Sequence, residues 1–241
     1  MRQQHSYSIE AIILKRTDLG EADRVLTLFT PNKGKYHAIA KGIRRPISKK
    51  AGHLELLSHS QLQIALGRNL DIVTQAETLE VHRVLREDLD RLSAAVRLLE
   101  AVDQVAQERQ PARRLYQMLL GALRALAARN APLLVAAFEL KLLSLEGFHP
   151  RLDACASCDG PGPLVGFDLG LGGALCRSCG MGAPVSRGAL DAMGRILNGD
   201  LASALNEPAG PVSHEVEQLA TRALEHHLER RLRAAHVLDR A

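Results

Sequence analysis

Over the first eighty residues the apolar positions fall in short runs rich in Ile, Val, Leu and Thr, separated by turn-forming residues. Ser8–Thr17 and Arg24–Thr30 are two such runs, followed in turn by the breaks Asp18-Leu19-Gly20 and Pro31-Asn32-Lys33-Gly34. Lys35–Ile43, Leu54–Leu66 and Asp71–Leu79 read as three further strands. The connections are short except for Arg44–His53, RRPISKKAGH, which contains Pro, Gly and four basic residues. Five strands with no helix-length insert predict a small closed barrel of about 80 residues, because closure leaves no exposed edge.

From Val81 the period changes. Val81, Leu85, Leu89, Leu92, Val96, Leu99 and Val102 recur every three or four residues and predict one amphipathic helix. Pro111 opens a second, with Leu115, Met118, Leu119, Leu123 and Leu126 on one side and Asn130 at its end. Pro132–Glu146 is apolar nearly all round, which predicts a buried helix stopped by Gly147. Ser186 is placed to cap a helix ending near Asn198-Gly199, and Ser213 to cap a longer one reaching about Ala235. The class expected is therefore α+β. A strand domain covers residues 1–80 and a helical domain 81–150. A cysteine-bearing module follows at 151–184, and 185–241 holds terminal helices that complete the helical domain.

Composition is that of an ordinary globular chain: 46% apolar, 24% charged, seven aromatics and no Trp in 241 residues. No apolar run approaches the roughly 18 residues of a membrane span. The opening MRQQHSYSIEAIILKR has its apolar stretch cut by Lys15 and Arg16 and lacks a leader pattern, so a cytoplasmic protein is expected. Charge alters this picture. The net +4 resides entirely in residues 1–80, which hold 12 Lys or Arg against 8 Asp or Glu; the remainder holds 19 of each. Between Asp23 and Glu55 lie 31 residues with no acid, among them Arg24, Lys33, Lys35, Lys41, Arg44, Arg45, Lys49 and Lys50. A surface kept merely soluble mixes both signs, whereas one-signed clustering is the electrostatic footprint of a nucleic-acid partner. On a strand of period two, Lys35, His37 and Lys41 share a face that the Arg44–Lys50 loop extends, while Tyr36 points inward. Such cations contact phosphate without reading bases, so the expected binding is sequence-independent and salt-sensitive.

All four cysteines form two pairs, Cys155-Ala-Ser-Cys158 and Cys176-Arg-Ser-Cys179, seventeen residues apart. Two residues between sulfurs let one turn aim both thiolates at a single ion, and two such turns complete a tetrahedron, so one structural zinc is expected. Two disulfides are the alternative, disfavoured in a reducing compartment. Four thiolates leave no open position for water or substrate, and no H-x-E partner of a zinc deaminase precedes them. The glycines of Gly166–Gly173 precede a cysteine turn rather than a helix, which excludes a phosphate loop. His226, His227, Arg230, Arg231 and Arg233 crowd the end of the last helix, where cations favour the dipole; a small basic rim for an acidic peptide is the alternative. Glu139 and Glu146 are helix carboxylates with no partner visible in the sequence. No catalytic residues are expected.

The segments GEADRVLTLFT-PNKGKYHAIAKGIRRPIS, FELKLLSLEGFHPRLDACASC and GGALCRSC resemble the bacterial recombination-repair RecO family, in order along nearly the whole chain. The resemblance implies an N-terminal oligonucleotide-binding (OB) fold that binds single- and double-stranded DNA. It also implies annealing of strands coated with single-stranded-DNA-binding protein, help from RecR in loading RecA, and a nucleoid-associated location. Lys33, Lys35, Lys41, Arg44 and Arg45 match the family's basic barrel surface, and Cys155, Cys158, Cys176 and Cys179 its zinc ligands. Two rivals stay open: a zinc-ribbon adaptor that only bridges proteins, and a nucleic-acid-modifying enzyme.

Overall fold

The protein is described here by a computed structural model covering residues 6–180 and 182–234. It is a mixed α+β chain that divides into two compact units. One takes the residues up to 95 with 102–127; the other takes 96–101 with the residues from 128 onward.

The first unit is built on five strands: β1 (Ser6–Leu19), β2 (Asp23–Thr30), β3 (Gly34–Ala40), β4 (His59–Ala65) and β5 (Asp71–Glu80). Hydrogen-bonded neighbours run β1-β2-β3-β5-β4 and return to β1, so the sheet closes on itself. Alternation writes the interior: in β3, Tyr36, Ala38 and Ala40 are buried while Lys35, His37 and Ile39 lie between them on the other face. They meet Ile9, Ala11, Ile13, Leu26, Leu28, Leu62, Ile64 and Val73 in one apolar cluster. The weakest seam is β3–β5, parallel and paired only at Ala38–Asp71 and Ile39–Ile72. Below it the free edge of β3 is taken by the segment after the next helix: Lys35 N–H donates to Gln107 O at 3.2 Å and Arg109 N–H to Lys35 O at 2.9 Å. Gly34 allows this approach, with φ of +58° and a Cβ position that would lie 2.0 Å from Gln110 O.

Two strand boundaries differ from the sequence expectation. β3 stops at Ala40, and Leu54, expected in β4, ends a short 3-10 turn over Ala51–Leu54. Leu54 and Leu57 are both fully buried: an apolar run marks burial, which alone does not set backbone conformation. The single helix expected from Val81 is two: α1 (Arg83–Glu87) and α2 (Leu89–Val105). Asp88 separates them, extended and accepting from Arg91 N–H at 3.0 Å, so an N-cap interrupts an unbroken apolar period. Helix α3 (Arg113–Ala128) lays Tyr116 against Phe29 of the sheet, ring centroids 5.8 Å apart.

The second unit gathers α4 (Leu134–Leu145), α5 (Arg187–Leu197), a one-turn α6 (Leu201–Ala204) that the sequence reading lacked, and α7 (Pro211–Leu228). A three-stranded sheet joins them, ordered β7 (Gly173–Cys176), β6 (Leu164–Asp168), β8 (Ala183–Pro184). Phe167 and Ala174 of this sheet share a core with Ala136, Leu140, Met193, Ile196, Val216 and Leu219. Helix α7 starts before the expected Ser213, which is its third residue and accepts from Gly210 N–H at 2.9 Å. It closes on Glu229 in the left-handed region at φ 51°; the expected end at Ala235 lies outside the described residues.

Glu139, read as unpartnered, is fully buried in α4 and is held by Thr221 Oγ1 at 2.9 Å and Arg97 Nη2 at 3.4 Å. Arg97 also reaches Glu217. Burial pushes the Glu139 carboxyl up from 4.5 to about 7 against the pull of Arg97. Native protein thus holds a proton that the unfolded chain releases, and this group's contribution to stability falls as pH rises from about 4.5 to about 7. Glu139→Gln removes that dependence. In chemical unfolding at a series of pH values, wild type should lose up to roughly 1 kcal/mol per pH unit relative to the variant across this window. A difference independent of pH would show that Arg97 keeps the carboxylate charged throughout.

Candidate nucleic-acid interface and metal centre

The acid-free stretch of sequence is not one continuous cationic face. Lys35 lies 3.4 Å from Asp103 Oδ1 and donates to the Asp103 carbonyl at 2.5 Å. His37 Nε2 meets Glu108 at 3.1 Å. Asp103 lies in the last turn of α2 and Glu108 in the segment that pairs with β3, so the shared face expected for Lys35, His37 and Lys41 is neutralised over its first two members. Lys33 stands at the same end of β3, its ammonium 4.1 Å from the Tyr7 ring centre and 5.7 Å from that of Tyr36. Tyr36, expected inside, is buried and hydrogen-bonds Tyr7 Oη at 2.7 Å and Asp71.

The other cations gather at the far end of β3, about 20 Å from Lys35 at the usual rise per strand residue. Arg24 Nε donates to Asp18 Oδ1 at 2.8 Å. Arg44 Nη1 lies 3.4 Å from Asp18 Oδ2 and donates to Gly20 O at 3.2 Å. The Arg24 guanidinium, helped by Arg44 and Arg16, holds the Asp18 carboxyl below its ordinary range. Lys41, Arg45 and Lys49 are exposed, and among the described residues no ion pair involves them. Lys50 turns back over the sheet, donates to Val73 O at 2.9 Å, and is lowered by its burial.

The loop carrying these side chains is fixed. Ile43 and Leu54 anchor its two ends in the sheet core. Arg44 N–H donates to Ala22 O, Arg45 N–H to Gly42 O, and Ser48 N–H to Arg45 O, at 3.0, 3.2 and 2.9 Å. Gly42 turns the chain out of β3 at φ +64°, its N–H bonded to Asp23 Oδ1 at 2.7 Å. The result is a positioned group of cations beside two acids, Asp18, shared by Arg24 and Arg44, and Asp23, which accepts from Gly42 N–H. Sequence reasoning marked the loop but gave no sign of Asp103 and Glu108, which lie tens of residues downstream.

In the second unit the four cysteine sulfurs all lie within 4.8 Å of one another. Cys158 and Cys176 Sγ are 3.8 Å apart, beyond the roughly 2.05 Å of a disulfide. A tetrahedral ion with metal–sulfur bonds of roughly 2.3 Å has edges of about 3.8 Å, so the spacing fits four ligands of one metal. Backbone places them: Asp159 N–H donates to Cys155 O at 3.0 Å and Cys179 N–H to Cys176 O at 3.1 Å, closing the two turns. Main-chain N–H groups, that of Cys176 foremost, bring the Cys155 thiol down to about 6, while hydrogen bonding among the clustered sulfurs pushes Cys179 up to about 12. Such a cluster cannot ionise fully by itself; a cation at its centre would let all four become thiolates. Strands β6 and β7 fill the interval between the cysteine pairs, as the turn-rich sequence suggested.

The terminal cations are less uniform. Arg222, His226, Arg230 and Arg231 line a shallow hollow together with Glu225 and Glu229, so the surface is of mixed sign. His227 lies against Phe148 with the rings tilted by 49°, centroids 3.7 Å apart. Among the described residues no helix is long and apolar enough to cross a membrane.

Two sequence families match the chain. The family described as Recombination protein O N terminal covers residues 1–82, and that described as Recombination protein O C terminal covers residues 86–236.

Proposed function

Given that the chain belongs to the Recombination protein O family, with a role in DNA recombination and repair, we propose that it binds single- and double-stranded DNA without regard to sequence and anneals complementary strands. The observation that carries this reading is the pinned loop with Lys41, Arg45 and Lys49 exposed and unpaired by any described carboxylate, beside Arg44 and Arg24. Phosphates of two strands drawn to these cations lose part of the repulsion that opposes pairing. Lys33 sits apart at the other end of β3, and Lys35 and Lys50 contribute charge already partly engaged. The closed five-stranded sheet, in the order 1-2-3-5-4, is taken as an OB-fold domain over residues 1–80. Residues 81–150 and 185–241 are taken as the helical part of the chain, which is divided between the two compact units.

Cys155, Cys158, Cys176 and Cys179 would hold one zinc, which on binding supplies a structural crosslink over 151–184 and leaves no site for water or substrate. No bond is made or broken in this function, and no catalytic residue is assigned. The partners are DNA, single-stranded-DNA-binding protein and RecR, with RecA loading as the outcome, in the nucleoid of the cytoplasm.

A salt-titrated annealing assay on complementary oligonucleotides, with and without single-stranded-DNA-binding protein, tests this. Annealing should be accelerated at low salt and fade as salt rises. Absence of DNA binding at low salt would favour a zinc-ribbon adaptor, and magnesium-dependent cleavage an enzyme.

A further inference from the structure

Ile47 is 86% exposed, well above the other exposed large apolar side chains of the described residues except Leu89 at 75%. A lone exposed aliphatic is ordinary on a protein surface; the place of this one is not. It occupies the third position of the turn Arg45-Pro46-Ile47-Ser48, closed by Ser48 N–H to Arg45 O at 2.9 Å, with Pro46 at the position that pre-sets such a turn. Burial of Ile43 and Leu54 and the Lys50–Val73 hydrogen bond fix the loop beneath it. Arg44, Arg45 and Lys49 stand exposed on either side in sequence. Leu19, 45% exposed, adjoins Gly20, whose carbonyl Arg44 engages, so a second apolar side chain lies at the same end of the sheet.

We propose that Ile47 is an apolar wedge that enters between adjacent bases of a DNA strand whose phosphates the flanking cations hold. A rigid turn loses little freedom on binding, and an aliphatic side chain held against a strand gains by entering the base stack rather than remaining in water. Side chains of this kind separate base steps where cations first bring the backbone close. The inference rests on the loop being the DNA-binding surface.

The test uses the full chain with Ile47→Ser and Ile47→Leu, and oligonucleotides carrying 2-aminopurine, whose fluorescence rises when its neighbours unstack. The expected result is a rise on binding wild type and Ile47→Leu, and none with Ile47→Ser. Ile47→Ser should also bind about five- to tenfold more weakly, with an unchanged salt slope because no charge is lost. Comparing labelled single strands with labelled duplexes shows which of the two is opened. An Ile47→Ser variant with wild-type affinity and fluorescence would overturn the wedge while leaving the cationic surface intact. Loss of DNA binding by wild type itself would overturn the underlying reading instead.

Discussion

Cys155→Ser should prevent the proposed zinc from binding in the second unit and unfold its cysteine-bearing segment. Phe167 and Ala174 tie the sheet to the helical core, but the cysteine turns themselves have only the small cluster of Cys155, Leu175 and Cys176, with Ala156, Leu164 and Cys179 beside it, and strands of five, four and two residues. Structural zinc supplies roughly 10–16 kcal/mol in small metal-dependent modules, far more than such a cluster provides. The expected outcome is a chain that purifies without stoichiometric metal, is cleaved by protease between residues 151 and 184, and unfolds at lower temperature. Chelator treatment of wild type should reproduce all three. Full metal content and unchanged protease resistance in Cys155→Ser would show that the four sulfurs are not the ligand set.

Reversal of Lys41, Arg44 and Arg45 to Glu should weaken DNA binding at least a hundredfold at low salt, equally for unrelated sequences. Each cation that neutralises a phosphate contributes roughly 0.9 to the slope of log affinity against log salt, so losing three should lower its magnitude by about 2 to 3. Arg187→Glu is the control, since Arg187 is a highly exposed cation of the other unit paired with Asp191 at 3.0 Å; it should change affinity little. A loss in Arg187→Glu of about one third that of the triple variant on a logarithmic scale, in proportion to the charge reversed, would mean that net charge, not the loop, governs binding.

The cysteine cluster and the strand alternation were legible in the sequence. The cysteine spacing specified a four-sulfur cluster because two-residue turns constrain geometry locally. Strand alternation placed Tyr36 inside and Lys35 outside for the same reason. What remained hidden depends on segments distant in the chain. Asp103 and Glu108 reach Lys35 and His37 only because β5 leaves the start of β3 unpaired and residues 107–109 fill that edge. The helix break at Asp88 sits inside a continuous apolar period, where a capping side chain outweighs periodicity. Glu139 did carry a signal, a carboxylate inside an apolar helix, but Arg97 and Thr221 lie 42 and 82 residues away.

Cations on a fixed loop should attract the DNA backbone without reading its bases. Equilibrium binding of wild type to two oligonucleotides of unrelated sequence, across salt from about 50 to 300 mM, tests it most directly. Equal affinities are expected, with a linear fall of log affinity with log salt, of slope about −3 or steeper. A flat salt dependence, or strong preference for one of the two sequences, would contradict it.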